Sequence, residues 1–368
     1  MRKNIIKNME WKILICALVL STIGLFALYS ATISTGLDEF KKQIMWLIVS
    51  IIIMIVVINI DYETLLKISP ILYGISIILL IAVLFTKRIN GSTAWFSFGA
   101  FSFQPSEFAK ISVILFLTYV INRIQKKGKN EINRPLKLLL LFAVVSIPML
   151  LLVKEPDYGM CAVYVVATVS ILFVAGLDKK YIITSIALVV VLIPVTYNFI
   201  LPKYAKTRID VFLNPDLDPK GSGYNIIQSK LAIGAGELTG MGIANGNQTQ
   251  LGYLYPKTTD FIFSVIGEEM GFIIAALVII ANVVLITKAI YIAKTSKDDE
   301  GAYIAAGIVG IFLFHLLENV GMTMGIMPIT GVPLLFVSYG GSSLISSFIC
   351  IGLLLNISGR RQKTIFSR

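Results

Sequence analysis

Asp260 stands in the run Tyr255-Pro256-Lys257-Thr258-Thr259-Asp260-Phe261-Ile262-Phe263, where a polar segment gives way to a long apolar one. Two kinds of chemistry suit a carboxylate in that place. At a helix start it caps free amide groups and complements the helix dipole. At a membrane–water boundary it can act as a base toward a polar group held just above the hydrocarbon. Ser264 and Glu268 follow at four and eight residues, which lines three polar groups along one face of an otherwise apolar helix. Lipid cannot satisfy such a stripe, so it must face protein or a cavity.

Other polar groups recur at span ends. Pro105-Ser106-Glu107 reads as a capped helix start, and Lys110, three residues after Glu107, can pair with it or neutralise a phosphate one turn inside the membrane. Lys154-Glu155-Pro156-Asp157-Tyr158-Gly159 is a charged turn between two apolar runs. His315, Glu318 and Asn319 share a span at helical spacing, and a lone His there reads first as a helix-to-helix hydrogen bond. The acidic spacing of Asp210, Asp216 and Asp218 is not a calcium loop, because Pro219 takes the place that loop gives to glycine. Gly234, Gly236, Gly240 and Gly242 lack dinucleotide-binding spacing and serve to let backbone approach backbone or a bulky substrate.

The elements that must position these groups are membrane helices. Over half of the 368 residues are hydrophobic, only 14% are charged, and apolar runs of about 20 residues recur, so the expected class is an all-α polytopic membrane protein. Ten spans are expected, at 11–31, 40–60, 64–86, 105–124, 136–153, 159–176, 181–201, 261–287, 302–324 and 330–357. With both termini cytoplasmic, twenty of the 32 basic residues fall on the cytoplasmic side. The net charge of +11 then reads as topology and attraction to anionic membrane lipids, not as a nucleic-acid surface. Cys16, Cys161 and Cys350 all fall in spans without metal-ligand spacing and read as small buried hydrophobes. Two segments break the pattern within this single membrane domain: an aromatic-rich outer loop at 87–104 and a long extracytoplasmic loop at 202–260 between spans seven and eight.

Taken in order, the motifs resemble the SEDS family (shape, elongation, division and sporulation), the RodA/FtsW/SpoVE group, over nearly the whole chain. The resemblance rests on Gly91-Ser92-Thr93-Ala94-Trp95-Phe96, Phe103-Gln104-Pro105-Ser106-Glu107-Phe108-Ala109-Lys110, Lys154-Glu155-Pro156-Asp157-Tyr158-Gly159, Gly223-Tyr224-Asn225-Ile226-Ile227-Gln228-Ser229, Thr259-Asp260-Phe261-Ile262-Phe263, and Pro328-Ile329-Thr330-Gly331-Val332-Pro333 leading into Ser338-Tyr339-Gly340-Gly341-Ser342-Ser343. It implies an inverting peptidoglycan glycosyltransferase that polymerises lipid II outside the cytoplasmic membrane, for elongation or sporulation, beside a class B penicillin-binding protein transpeptidase. Asp260 matches the family's proposed catalytic aspartate and would be the general base. Trp95, Glu107, Lys110, Asp157, Arg208, Gln228, Ser229, Glu268 and Ser342 are the expected substrate-binding residues. Lys110 and Arg208, or a divalent cation such as Mg2+ or Mn2+, would balance the pyrophosphate charge.

Two other readings use the same residues. A flippase for the lipid-linked precursor would depend on mid-membrane groups such as His315 and Glu318, and a scaffold that only recruits the transpeptidase would not depend on Asp260 at all.

Overall fold

A computed structural model describes residues 6–87, 92–99, 101–181, 183–185, 187, 191, 196–200, 203–218 and 221–361. Long charge-poor runs make the helices, and polar residues or prolines start them. The first is α1 (Trp11–Thr32); α2 (Asp38–Asn59) opens with Asp38 and Glu39, where the helix dipole favours acids. Asp61 caps α3 (Tyr62–Val83) by accepting from the Glu63 N–H at 3.2 Å. A hairpin of β1 (Phe96–Phe98) and β2 (Phe101–Phe103), with Phe96 opposite Phe103, precedes α4 (Pro105–Gln125). Proline occupies the first turn of both α4 and α5 (Pro135–Lys154), where its missing N–H costs nothing. Asp157 caps α6 (Tyr158–Val174).

The 202–260 segment is largely folded: it contains α7 (Lys203–Leu213), α8 (Ser222–Ala235) and a helical turn at Asn247–Gln250. Three long helices close the chain: α9 (Ile262–Lys294), α10 (Asp299–Thr323) and α11 (Gly341–Arg360). By length and composition alone, α1, α2, α3, α5, α9, α10 and α11 can cross a membrane. Of the other expected spans, 159–176 is the shorter apolar α6, and 105–124 is α4 with Glu107 and Lys110 inside it. The span expected at 181–201 lies partly outside the described residues.

Helix α11 is buried along nearly its whole length and packs on α2; α10 packs on α6 and α9, α9 on α1, and α4 on α3. Ile48 and Ile52 of α2, Ile71 and Ile78 of α3 and Phe142 of α5 point outward, as lipid-facing surfaces require. The two ends of the bundle differ in chemistry. One carries the ion pairs Lys129–Asp299, Lys297–Glu63 and Arg360–Asp61 and joins the start of α1 to the end of α11 through Glu10 and Ser358. The other carries the hairpin, the 155–157 turn, α7, α8 and the 236–260 and 324–340 segments.

The all-α polytopic class holds, with the short β1–β2 hairpin an addition to it. Two span boundaries are corrected. The last helix begins at Gly341 and not at 330, because Gly331 and Phe336 take positive φ and Pro333 lies between them. The helix expected at 261–287 runs on to Lys294 and breaks at Gly271, where φ is 76°.

Candidate functional site

Asp260 ends the turn leading into α9, where the Phe261 N–H closes back on Pro256 O at 3.2 Å. It is partly exposed at the end of the bundle opposite the ion pairs. Burial raises its carboxyl above the ordinary aspartate range, against a lowering by the Thr259 hydrogen bond and by the Arg208 guanidinium of α7. The same guanidinium also lowers Asp157, less than the Met160 and Gln104 hydrogen bonds do.

Asp157 accepts from the Met160 N–H at 3.1 Å and from Gln104 Nε2 at 3.2 Å. Burial is the main cause that pushes its carboxyl up to about 6. The Gln104 N–H donates in turn to Ser342 Oγ at 3.0 Å, at the start of α11. Glu155, two residues before Asp157, is fully buried and pushed up to about 8, first by desolvation and then by Asp157. The 330–333 turn walls the other side: a Cβ on Gly331 would stand 3.6 Å from Asp260 Oδ2. The Arg208 charge thus lowers both carboxylates, beside a hydrogen-bonded chain from Asp157 through Gln104 to Ser342. Such a site can take a proton from a hydroxyl at Asp260 and offset anionic charge at Arg208.

The structure draws Asp260, Arg208, Asp157 and Ser342 into one region, while four other expected substrate-binding residues are occupied elsewhere. Lys110 is 2% exposed and pairs with Glu107, whose carboxylate also accepts from Ser346 Oγ at 2.7 Å. Sealed inside the bundle, neither reaches a phosphate. Ser229 is fully buried between Ser264 Oγ and Thr323 O, both at 2.6 Å.

Glu268 holds the chain. Its carboxylate accepts from the Gln248 N–H at 2.6 Å, the Thr249 N–H at 3.0 Å and Thr249 Oγ1 at 2.6 Å. Glu269 accepts from the Ala244 and Gly246 N–H groups, both at 3.3 Å, and from Gln250 Nε2 at 2.9 Å. Glu268 of the polar stripe and its neighbour Glu269 therefore anchor the 244–250 segment, while Ser264 bonds Ser229 of α8. Trp95, before β1, and Gln228, on α8, are partly buried. Mid-membrane His315 bonds Pro333 O through Nδ1 at 2.9 Å, and Glu318 accepts from Thr330 Oγ1 at 2.5 Å, so both brace the turn beside Asp260.

Sequence reasoning missed Gln104 and Asn319 as site residues. Gln104 precedes the helix-starting Pro105 and has no periodicity to mark it. Asn319 does carry a signal, as an amide in an apolar span needs partners. Among the described residues no three His, Cys, Asp or Glu side chains converge as a metal cage.

A multi-pass helical membrane protein with an acidic, arginine-balanced site at one end of the bundle is the class this geometry defines. The FtsW/RodA/SpoVE cell cycle protein model matches residues 10–363, and the chain belongs to that family. It is 31% identical to peptidoglycan glycosyltransferase RodA of Treponema pallidum, with 98% of this chain and 100% of the relative covered. It is 34% identical to peptidoglycan glycosyltransferase MrdB of Escherichia coli strain K12 over 96% of this chain and 95% of that one. Stage V sporulation protein E of Bacillus subtilis is 35% identical, covering 94% and 96% of the two chains. A solved chain from a peptidoglycan synthase complex coordinating polymerization and crosslinking superposes with a TM-score of 0.82 at 26% identity, covering 95% of this chain and 97% of that one. The protein is thus a bacterial multi-pass membrane protein.

Proposed function

We propose that this chain is a peptidoglycan glycosyltransferase that polymerises lipid II, with Asp260 as general base. The placement of Asp260 carries the reading: a carboxylate at a bundle end, raised by burial and balanced by Arg208. Relatives named as peptidoglycan glycosyltransferases across nearly the whole chain support it. The acceptor's GlcNAc 4-hydroxyl gives its proton to the Asp260 carboxylate as its oxygen bonds to the donor's MurNAc anomeric carbon. The bond from that carbon to the lipid pyrophosphate breaks, the electron pair leaves with the phosphate, and the α-linkage inverts to β. Burial strengthens the base, and Arg208 offsets charge on the leaving group. Membrane orientation follows from the same reading: the Asp260 end faces outward from the cytoplasmic membrane, where a class B penicillin-binding protein is the partner that fits.

A divalent cation, Mg2+ or Mn2+, fits these residues only as Mg2+ is held elsewhere, by one or two carboxylates together with substrate oxygens. Asp157 would hold it, and the cation would add to the neutralisation that Arg208 supplies. The flippase reading loses its support here, because the charged groups it needs are engaged: His315 and Glu318 on the turn beside Asp260, Glu107 and Lys110 on each other.

The test is glycan-strand formation from lipid II by the purified chain with its transpeptidase partner, native against Asp260→Ala. Strands from the native protein and none from a folded variant are expected. A variant that polymerises at the native rate refutes the base assignment.

A further inference from the structure

Three successive carbonyls carry Asp260 into place, and each is gripped by α10 or by the segment that follows it. The Tyr339 N–H donates to Thr258 O at 2.9 Å, Ser338 Oγ to Thr259 O at 2.7 Å, and Asn319 Nδ2 to Asp260 O at 3.0 Å. A second Asn319 Nδ2–H donates to Val332 O, also at 3.0 Å. One amide therefore ties the backbone of Asp260 to the turn that walls its carboxylate. Ser338 is held in its turn, its Oγ accepting from the Leu334 N–H at 2.9 Å and its carbonyl accepting from Gln43 Nε2 of α2 at 3.1 Å.

Asn319 is fully buried, and its Oδ1 has no hydrogen-bond partner among the described residues. Two carbonyl oxygens facing Nδ2 fix the orientation of the amide, since a flip would set Oδ1 against both. The molecule therefore carries an unpaired buried oxygen to keep the two donated bonds, and an apolar side chain at this position would avoid that cost. Elsewhere in the bundle, Asn282 of α9 donates to Val278 O within its own helix, a bond that joins nothing to the site.

We propose that Asn319 is a positioning residue for Asp260, cross-linking the 258–260 backbone to the 330–333 turn so that the carboxylate stands in register with the hydroxyl it deprotonates. The inference rests on the base assignment above. Misplacing a reacting group by about 1 Å costs on the order of 100-fold in rate. Asn319→Ala should therefore lower kcat for lipid II polymerisation by about 10- to 100-fold and leave KM within about twofold, because Asn319 touches no substrate. Asn319→Asp, which sets an acceptor against two carbonyls, should fall at least as far. The control Asn282→Ala should retain kcat within about twofold.

The variants are assayed with the transpeptidase partner beside Asp260→Ala. An inactive Asp260→Ala together with a folded Asn319→Ala of native kcat, or one whose loss lies wholly in KM, overturns the positioning role alone. An active Asp260→Ala overturns the base assignment and this inference with it. Should Asn319→Ala fail to fold, Ser338→Ala carries the same expectation through the Thr259 carbonyl, and a native kcat there overturns the clamp.

Discussion

Glu155 stands in the tight connection between α5 and α6, fully buried, with neither carboxylate oxygen hydrogen-bonded among the described residues. Burial and the neighbouring Asp157 move it from 4.5 to about 8. Because the folded state holds this proton more tightly than the unfolded chain, Glu155 makes stability fall as pH rises from about 4.5 to about 8. Asp157, raised from 3.8 to about 6, acts in the same direction but lower on the scale. Of these two, Glu155 is the one that still contributes above about pH 6. Glu155→Gln, close in shape to the protonated acid, should match the native Tm near pH 5 and exceed it by roughly 5 °C near pH 9. Thermal unfolding in detergent across that range checks it, and a gap independent of pH would refute the assignment. The residue scale is also where the sequence says least. It shows Glu107, Lys110 and Glu268 in spans and Ser229 in the long loop, but not that each is bonded to groups inside the protein.

Among the elements, α9 shows what hydropathy can and cannot reveal. Its apolar run predicts a span, and a span is there. The break at Gly271 lies nine residues inside the helix, about 13 Å from its start, where lipid offers no partner to freed backbone groups. The 237–242 segment supplies them: the Met241 and Gly242 N–H groups donate to Glu268 O and Glu269 O at 2.9 and 3.0 Å, and Phe272 and Ile273 N–H groups donate to Glu237 O and Leu238 O at 2.9 and 3.2 Å. Four glycines in the 234–242 stretch signal close backbone approach in the sequence, but not which helix is approached. A Cβ at Gly271 would stand 2.3 Å from Gly240 N on a backbone of positive φ. Gly271→Ala should therefore destabilise by about 3 kcal/mol or more, combining backbone strain with steric overlap. Glu268→Gln should cost about 1–3 kcal/mol, since its amide turns a donor toward N–H groups that the carboxylate satisfied. Both are read as Tm in detergent beside the native chain, and a Gly271→Ala protein as stable as native would refute the docking. The last helix was misjudged at 330–340 because Val332, Leu334, Leu335 and Val337 are as apolar as a span. They are buried in a turn instead, which Ser338 and Tyr339 bond to the backbone of Thr259 and Thr258.

At the scale of the whole molecule, the bundle has two unlike ends, and the basic residues that predict orientation are the same ones the fold gathers. Lys129, Lys297 and Arg360 lie in ion pairs at one end, and Asp260 lies at the other. Lys and Arg resist translocation, so the orientation expected under the proposed function puts the ion-paired end inside and Asp260 outside. Exposed pairs of this kind add little stability, typically about 0–1 kcal/mol, so their gathering reflects topology more than strength. A labelling experiment decides the orientation. Tyr253 is 46% exposed near the Asp260 end, and the Lys129 side chain is 75% exposed at the other. In a Cys16→Ser background, with Cys161 and Cys350 buried, Tyr253→Cys should react with a membrane-impermeant maleimide added to intact cells. Lys129→Cys should react only after the membrane is opened. The reverse pattern would place Asp260 on the cytoplasmic side, where strands polymerised outside the membrane could not be made, and would overturn the proposed function together with the topology.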